Sequence, residues 1–433
     1  MGTIISLEIE GSEICSAKNH MGIDYGQLFQ ETDKKQIPSN DAEGEQDINS
    51  PYNRGFERNL GSLKTRLDLL GFSLDRVERE YKSACITSRE QDEWLMENNS
   101  KVENFDRLMN FPEFMAFLQD HPVNSFEKEY HGFESNPSIK DIPRLVNEFR
   151  IKRLPYYGNS GDSFTELGVF LEMIEFLSPY AILRALSEVK ENADSKVTWL
   201  FGPLAENGWA DHSDFYGDAR RTDRFLVATE GSSDVHILKK AFRLLRPDVI
   251  DFFSFIDCSE AHPFSGAGNL VKFANGLVKI DCLNKVLFLL DNDAEGVVAK
   301  RKIQDMNLPV NMRATTLPNL DDFESFRSLG PTGIESVDIN GKAVAIECFL
   351  DLRDQNQSKP HIRWTSYKKE IDEYQGELVD KESFAKSFLK GQYAGYDFTK
   401  LTTLLDHIIS QCCMISSKTK NDMSNQFEDV SQS

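Results

Sequence analysis

Two apolar runs that each end in acidic residues constrain the fold of this chain more than any other feature. Residues 225–229 (FLVAT) precede Glu230, and residues 285–290 (KVLFLL) precede Asp291 and Asp293. Neither run alternates apolar with polar residues, which is typical of strands buried on both faces of a parallel sheet. In open sheets of this kind, functional side chains lie just beyond the carboxyl ends of the strands. The two runs therefore predict a parallel sheet with acidic residues at its functional edge.

The segment around these runs alternates strand-like and helix-like patterns. Helices are predicted between the strands, near residues 235–245, 270–278 and 294–306. Strands are predicted near 225–229, 249–256, 286–290 and 311–317, with a last strand or strand–helix junction at 342–350. Such repeated units predict an α/β domain over residues 221–350 with a Rossmann-like parallel sheet. The sequence contains no GxxxxGK[ST] loop, and Gly266-x-Gly268 lacks the third glycine of a dinucleotide-binding turn.

The flanking segments have different patterns. Residues 1–220 are predicted to form a mainly α-helical N-terminal domain that starts with a strand, because apolar and polar residues alternate at its beginning. A polar stretch at about residues 31–57 is predicted to be a surface loop or linker. Residues 351–433 are predicted to be a C-terminal extension, helical with a mobile tail.

Composition limits the classes of protein that this chain can be. The 433 residues carry a net charge of −21, most of it in residues 1–220, which argues against tight binding of nucleic acid by the whole surface. No apolar run is long enough to cross a bilayer, so no membrane interaction is expected. The seven cysteines include no CxxC pair, which favours reduced thiols over zinc sites or disulfides. A cytoplasmic protein is predicted.

The acidic residues after the two strands suit a divalent metal. An Asp-x-Asp such as Asp291 and Asp293 can direct both carboxylates at one Mg²⁺ ion, and Glu230 follows a second strand. Converging acids repel one another, and a bound cation relieves that repulsion. A metal site of this kind serves phosphodiester chemistry. Alternatively, these acids are loop residues, with Asp234 and Asp293 as helix N-caps.

The order of these motifs resembles a known domain. A strand with Glu230-Gly231-x-x-Asp234, then a glycine turn, then a strand with Asp291-x-Asp293 resembles the TOPRIM domain of topoisomerases, primases and OLD-family nucleases. The resemblance implies that Glu230 acts in acid/base catalysis and that Asp291 and Asp293 coordinate Mg²⁺. It also implies further site residues: Asp234 as a ligand of a second metal, Glu347 as a downstream acid, and Gly231 and Gly268 as substrate-binding glycines.

The opening of the chain carries a second resemblance. Ile4, Ser6-Leu7-Glu8-Ile9, Lys18-Asn19 and Gly22 resemble the N-terminal region of bacterial HEPN/Toprim-associated proteins, in which a helical part precedes a TOPRIM domain. The HEPN ribonuclease signature, an arginine closely followed by a histidine, is absent. HEPN-type activity is therefore not expected in this chain.

Together, the resemblances imply a Mg²⁺-dependent nuclease of DNA or RNA, with Mn²⁺ as a substitute metal, that acts in bacterial anti-phage defence. A non-catalytic TOPRIM scaffold or sensor for a ligand or partner protein is the alternative. A topoisomerase would need a tyrosine nucleophile in a gate-forming domain, and a primase would need nucleotide-handling elements; no candidate for either is found. An activating or inhibiting partner protein and a homo-oligomer remain open.

Two basic clusters are candidate substrate contacts. Lys300 and Arg301 follow the Asp-x-Asp by one helix, and they either approach a phosphate or form the solvated end of that helix. Arg363 and Lys368 belong to residues 363–369 (RWTSYKK), where cations and aromatic rings suit phosphates and bases. A surface helix anchored by two aromatic residues is the alternative for this cluster.

Overall fold

The chain divides into two compact units, Met1–Ala219 (unit 1) and Arg220–Ser433 (unit 2). The computed structural model describes residues 2–37, 50–98, 108–127, 143–156, 163, 165–256, 266–330, 333–353, 359–391 and 393–431. Within these ranges, no helix combines the length and the apolar character that are needed to cross a membrane.

Unit 1 contains an antiparallel five-stranded sheet with the strand order β2-β1-β5-β4-β3. Its strands are β1 (Ile4–Ile9), β2 (Ser12–Lys18), β3 (Lys34–Gln36), β4 (Arg54–Asn59) and β5 (Lys196–Leu200). The predicted first strand is confirmed as β1. The predicted linker at about 31–57 is wrong at its two ends, since β3 and β4 belong to the sheet; residues 38–49 lie outside the described residues. Pairing of β4 with β5 buries Phe56 completely, which the polar composition of the stretch concealed.

Seven helices of unit 1 fall within the described ranges. They are α1 (Leu60–Leu69), α2 (Leu74–Glu97), α3 (Phe111–Asp120), α4 (Pro143–Val146), α5 (Glu166–Glu172), α6 (Pro179–Leu186) and α7 (Gly202–Glu206). Gly71, with a φ of +86° that glycine adopts readily, separates α1 from α2, and Pro179 is the first residue of α6, a position that proline favours. The expectation of a mainly helical region is corrected, because a five-stranded sheet accompanies the helices.

Unit 2 contains a parallel four-stranded sheet and a second, mixed sheet. The parallel sheet has the order β10-β8-β6-β7, and the second sheet has the order β12-β11-β14-β15. The strands of unit 2 are β6 (Phe225–Ala228), β7 (Phe253–Phe255), β8 (Lys285–Leu290), β9 (Asn292–Asp293), β10 (Met312–Thr316), β11 (Phe326–Gly330), β12 (Gly333–Val337), β13 (Ala343–Val344), β14 (Ile362–Lys368) and β15 (Glu373–Leu378).

Five α-helices of unit 2 fall within the described ranges. They are α8 (Ser232–Leu245), α9 (Ala267–Lys279), α10 (Ala294–Gln304), α11 (Lys381–Lys390) and α12 (Thr399–Ser431). All six residues of β8 are buried, so both faces of the sheet are covered, as its non-alternating sequence predicts. Leu270 of α9 and Ile303 of α10 pack with Phe288 in one apolar cluster. The α/β prediction is confirmed; the predicted second strand is shorter, since a turn of 3₁₀ helix occupies Ile250–Phe252.

The second sheet changes the interpretation of the C-terminal extension. Residues Ile362–Lys368 form strand β14, so the surface helix considered for residues 363–369 is wrong. β14 pairs with β15 and also runs parallel to β11, so this sheet draws strands from both sides of residue 350. The extension, predicted to be helical, therefore contains two strands in addition to α11 and α12. Cross-strand pairing stabilises the β conformation in a way that helical periodicity does not reveal.

Candidate functional site

The carboxyl ends of β6 and β8 meet where the strand order reverses. In the chain β7 follows β6, and it lies on one side of β6 whereas β8 lies on the other. Ala228 of β6 is in register with Phe288 of β8, so the two strands end side by side. The crevice at such a reversal is the usual ligand site of an open α/β sheet. Glu230 and Asp291 follow the two strands into this crevice.

The turn after β6 is tied to two other segments through Glu230. The backbone N–H of Asp291 donates a hydrogen bond of 3.0 Å to Glu230 Oε1. The backbone N–H of Gly266 donates one of 3.1 Å to the Glu230 carbonyl oxygen. The carboxylate of Glu230 is thereby held beside the chain that leaves β8, and its backbone beside the chain that enters α9.

Asp234 caps the helix that follows this turn. It is the third residue of α8, and its Oδ2 accepts a hydrogen bond of 3.0 Å from the N–H of Gly231, which is the N-cap residue. The Ser233 hydroxyl donates one of 3.2 Å to Asp234 Oδ1. Asp234 is therefore not the N-cap residue, so that alternative is wrong, although its carboxylate does accept a hydrogen bond from a backbone N–H at the start of the helix.

Asp293 begins α10 and is fixed on both of its oxygens. It is the N-cap residue, as the sequence alternative holds, and its Oδ1 accepts a hydrogen bond of 2.7 Å from the N–H of Gly296. Its Oδ2 accepts one of 2.5 Å from Gln375 Nε2 of β15. Gln375 also accepts a hydrogen bond of 3.0 Å from the N–H of Glu295. The β14–β15 hairpin thus contacts the acidic turn directly.

Glu347 reaches the same crevice through a short strand pair. β13 pairs antiparallel with β9, so that Ala343 lies opposite Asp293. A turn of 3₁₀ helix, Ile346–Phe349, follows β13 and carries Glu347, which is only 4% exposed. The structure therefore brings all five predicted acids, Glu230, Asp234, Asp291, Asp293 and Glu347, to one edge of the parallel sheet.

The pKa shifts show that these acids share one electrostatic environment. Burial raises the pKa of Asp291 well above its usual range, and the charges of the other four acids raise it further. Burial, followed by the charge of Asp293, raises the pKa of Glu230 to about 8. Burial, followed by the charge of Glu347, raises the pKa of Asp234 to about 7. The pKa of Asp293 and that of Glu347 are also raised, chiefly by burial. Asp291 is thus an acid on which the charges of all four others act.

Two residues of the site are missed by the sequence pattern. Lys381 is the first residue of α11 and is solvent-exposed. Desolvation lowers its pKa, but the charges of Glu347, Asp291 and Asp234 raise it, and the net result is a raised pKa. Its positive charge therefore interacts with the acids. Gln375 holds Asp293, as described above. Neither residue follows a strand of the parallel sheet or belongs to a motif, so only the pairing of β14 with β15 places them here.

The donor chemistry of the site fits a hard divalent cation. The acids supply oxygen ligands only, and their mutual repulsion favours positive charge between them. Within the described parts of the chain, no three His, Cys, Asp or Glu side chains are arranged so that they could hold one metal ion. Mg²⁺ is commonly held by one or two carboxylates and keeps several waters, so it does not require three preformed ligands.

The residues predicted to contact the substrate lie in different surroundings. Gly268 and Lys368 both line a cavity of about 600 Å³ beside the acidic turn, and Gly231 lies between Glu230 and α8. Lys300 acts electrostatically on His407, which packs against the end of β10, and Arg301 is exposed in the last turn of α10. The solvated-helix-end alternative therefore fits Arg301. Arg363 forms an ion pair with Glu377 across β14 and β15.

One family model matches the chain. The model described as HEPN/Toprim N-terminal domain 1 matches residues 1–223, which is more than half of the 433 residues. The chain belongs to this family. No curated protein and no solved structure matches it.

Membership of the HEPN/Toprim family confirms the resemblance found in the opening residues. The match ends at residue 223, just before β6, so it covers unit 1 and does not reach the acidic crevice. The resemblance of residues 221–350 to the TOPRIM domain of OLD-family nucleases stays a prediction.

Proposed function

We propose that this HEPN/Toprim-associated protein is a metal-dependent nuclease with a TOPRIM domain at residues 221–350. The observation that carries the proposal is the meeting of five partly or fully buried acids at the strand-order reversal, where the charges of the other four act on Asp291. Ionised carboxylates in one crevice are costly unless a cation lies between them. Mg²⁺, or Mn²⁺ in its place, is the cation that such oxygen ligands suit.

In this proposal the acids act as ligands and as a base. Asp291 and Asp293 would hold the ion, and Asp234 and Glu347 would hold a second one. When bound, the metal supplies the positive charge that orients a scissile phosphate and stabilises the charge that develops on it. Glu230, whose Oε1 is occupied by the N–H of Asp291, accepts the proton of the attacking water on Oε2. The substrate is DNA or RNA.

Lys381 supplies a second positive group at the crevice. Its positive charge interacts with Glu347, Asp291 and Asp234. In a chain with a net charge of −21, a cation at this point offsets the repulsion between the acids and an incoming phosphate. Lys381 therefore helps to bind the substrate and is expected to affect KM more than the proton transfer at Glu230.

A non-catalytic scaffold or ligand sensor is the second candidate. It is favoured by one observation, namely that in the described ranges no three acidic side chains are arranged to share one ion. A sensor of this kind would bind a ligand or a partner protein at the crevice without hydrolysing a phosphodiester.

An effector role in bacterial anti-phage defence completes the proposal, and it rests on the HEPN/Toprim family alone. Cells that express the wild-type chain are expected to plate phage less efficiently than cells that express Asp291→Asn. Equal plating of phage on both would contradict the defence role and would leave the nuclease proposal to the assay below.

The cleavage assay uses the purified full chain with end-labelled single-stranded DNA, duplex DNA and RNA, in Mg²⁺, Mn²⁺ or EDTA. The proposal expects cleavage in either metal, none in EDTA, and a loss of about 10²-fold or more in Asp291→Asn. Removal of a central charge-stabilising group commonly costs that much.

Asp281→Asn is the matched control. Asp281 is exposed in the turn that enters β8, whereas Asp291 leaves the same strand at its other end. The φ of Asp281 is +51°, a value that asparagine also adopts. The control is expected to cut like the wild type. Uncut substrates in both metals, or equal cutting by Asp291→Asn, would reject the nuclease in favour of the sensor.

A further inference from the structure

A cavity of about 600 Å³ lies beside the acidic crevice in unit 2. One wall is the first half of α9, a second is one face of α10, and a third is the end of β14 with the turn that follows it. Among the described residues, no atom lies within 4 Å of a Cβ added to Gly266 or Gly268, so none of them covers this wall. A cavity of this size accommodates one or two nucleotides, which are comparable to small-molecule ligands.

The cavity is lined by more positive than negative groups. Its charged residues are four lysines and two glutamates, namely Lys272, Lys302, Lys368, Lys369, Glu295 and Glu370. Within the described residues, Lys272 and Lys369 have no ion-pair partner. Lys302 pairs with Glu370, and Lys368 pairs with Glu295, at partly exposed positions. Exposed pairs are weak, so these lysines can exchange a glutamate for a phosphate.

The cavity and the acidic crevice share a wall. Glu295 lines the cavity, and its N–H is bonded to Gln375, whose Nε2 holds Asp293. At the α9 wall, the N–H of Gly266 donates a hydrogen bond to the carbonyl oxygen of Glu230. Both the α10 wall and the α9 wall are therefore linked by hydrogen bonds to residues of the acidic crevice.

Two exposed aromatic rings lie on the β14–β15 hairpin, which forms the third wall. Tyr367 lines the cavity and is 44% exposed, and Tyr374 is 58% exposed. Their ring centroids are 5.2 Å apart in an edge-on arrangement. Aromatic faces beside cationic side chains are the usual platform on which unpaired bases stack, whereas the bases of a duplex are already stacked on each other.

We propose that this cavity binds single-stranded nucleic acid, with lysines on the phosphates and Tyr367 on a base, and leads the strand to the acids. The inference deepens the proposed nuclease function and rests on it for the direction of the strand. It names the substrate class as single-stranded DNA or RNA, in preference to a duplex, because the cavity is small and its aromatic rings require unpaired bases.

The test measures binding by fluorescence anisotropy, in EDTA so that no cleavage occurs. Labelled oligonucleotides are single-stranded DNA, single-stranded RNA and duplex DNA of one sequence. Lys272→Glu/Lys369→Glu is expected to bind both single strands about tenfold more weakly than the wild type. The slope of the logarithm of affinity against the logarithm of salt concentration should become less negative by about 1.4, because two phosphate contacts are lost. Tyr367→Ala should also lose about tenfold.

The matched control is Lys279→Glu/Lys359→Glu. It changes the net charge by the same amount. Lys279 is the last residue of α9, the helix that carries Lys272, and both control residues are exposed and outside the cavity lining. It is expected to bind within about twofold of the wild type. Equal losses in the two double variants, absence of single-strand binding, or tighter binding of the duplex would each overturn the proposal.

Failure of this inference is distinguishable from failure of the nuclease. If the wild type binds single strands through the cavity and does not cut them in Mg²⁺ or Mn²⁺, the inference stands and the nuclease is rejected. If the wild type cuts and Lys272→Glu/Lys369→Glu cuts single strands equally well, the nuclease stands and the inference is rejected.

Discussion

The backbone N–H of Asp291 donates a hydrogen bond of 3.0 Å to the carboxylate of Glu230, so the acids that follow two neighbouring strands are held by a single contact. The contact partly offsets the rise in the Glu230 pKa that burial and Asp293 cause, because it stabilises the ionised form. It also makes the Asp291 backbone a structural element of the site. Changes that move this backbone should therefore disturb both acids together.

Gly296→Ala should displace that backbone. A Cβ at Gly296 would lie 2.0 Å from the carbonyl oxygen of Asp291, and a backbone atom cannot yield as a flexible side chain does. We expect the variant to lower the free energy of unfolding of unit 2 by about 1–3 kcal/mol, as overpacking does. The measurement is hydrogen exchange of peptides that span β8, which should be faster in the variant than in the wild type.

Gly276→Ala is the control for that change. Gly276 lies in the interior of α9, and an added Cβ would meet nothing within 4 Å. Alanine should stabilise the helix there by about 0.5–1 kcal/mol relative to glycine. If Gly296→Ala exchanges no faster than Gly276→Ala, the close approach of α10 to Asp291 is not a constraint.

The metal-free protein should lose stability as the pH rises. The folded pKa of Glu230 is about 8 and that of Asp234 about 7, both above the ordinary values of 4.5 and 3.8. A raised folded pKa contributes stability that is fully present below the ordinary pKa and is lost as the pH rises through the folded value. Urea denaturation in EDTA should therefore show a decreasing free energy of unfolding from about pH 4 to about pH 8.

Glu230→Gln/Asp234→Asn tests the origin of that pH dependence. The variant removes both titrations, so its stability should fall less over the same interval. Saturating Mg²⁺ should stabilise the wild type more at pH 8 than at pH 5, because the acids are then ionised. An unchanged pH dependence in the variant would show that these two acids are not its source.

Gln375→Ala should loosen the hairpin from the acidic turn. The side chain donates to Asp293 and accepts from the N–H of Glu295, and both bonds would be lost. Each unmade bond costs about 1 kcal/mol, so faster hydrogen exchange of β14 and β15 is expected. Ser387→Ala, on the exposed side of α11, should leave the exchange unchanged. Equal exchange of the hairpin in the two variants would contradict the bridging role of Gln375.

The elements that the sequence predicts best are those set by local chemistry. The non-alternating run at residues 285–290 becomes β8, buried on both faces, and Gly71 and Pro179 end or begin helices where their backbone preferences require it. The meeting of Glu230 and Asp291 also follows from local patterns, because parallel strands place their carboxyl ends at one edge.

The remaining parts depend on contacts between distant residues. Gln375 lies 82 residues from the Asp293 that it holds. Lys381 reaches the acids only because α11 follows β15 at that point, and a lone lysine carries no sequence signal. β3 and β4 likewise form strands through pairing in the sheet of unit 1, despite their polar surroundings. Helical or strand periodicity does not encode such pairings.

Binding of a divalent ion by the acids is the central claim, and titration with Mn²⁺ followed by electron paramagnetic resonance measures it directly. The account predicts that the wild type and Asp281→Asn bind Mn²⁺ alike, that Mg²⁺ competes, and that Asp291→Asn binds at least about tenfold more weakly. Loss of a direct ligand should cost no less than loss of a residue that only orients one. Equal binding of Mn²⁺ by Asp291→Asn and the wild type would contradict the account.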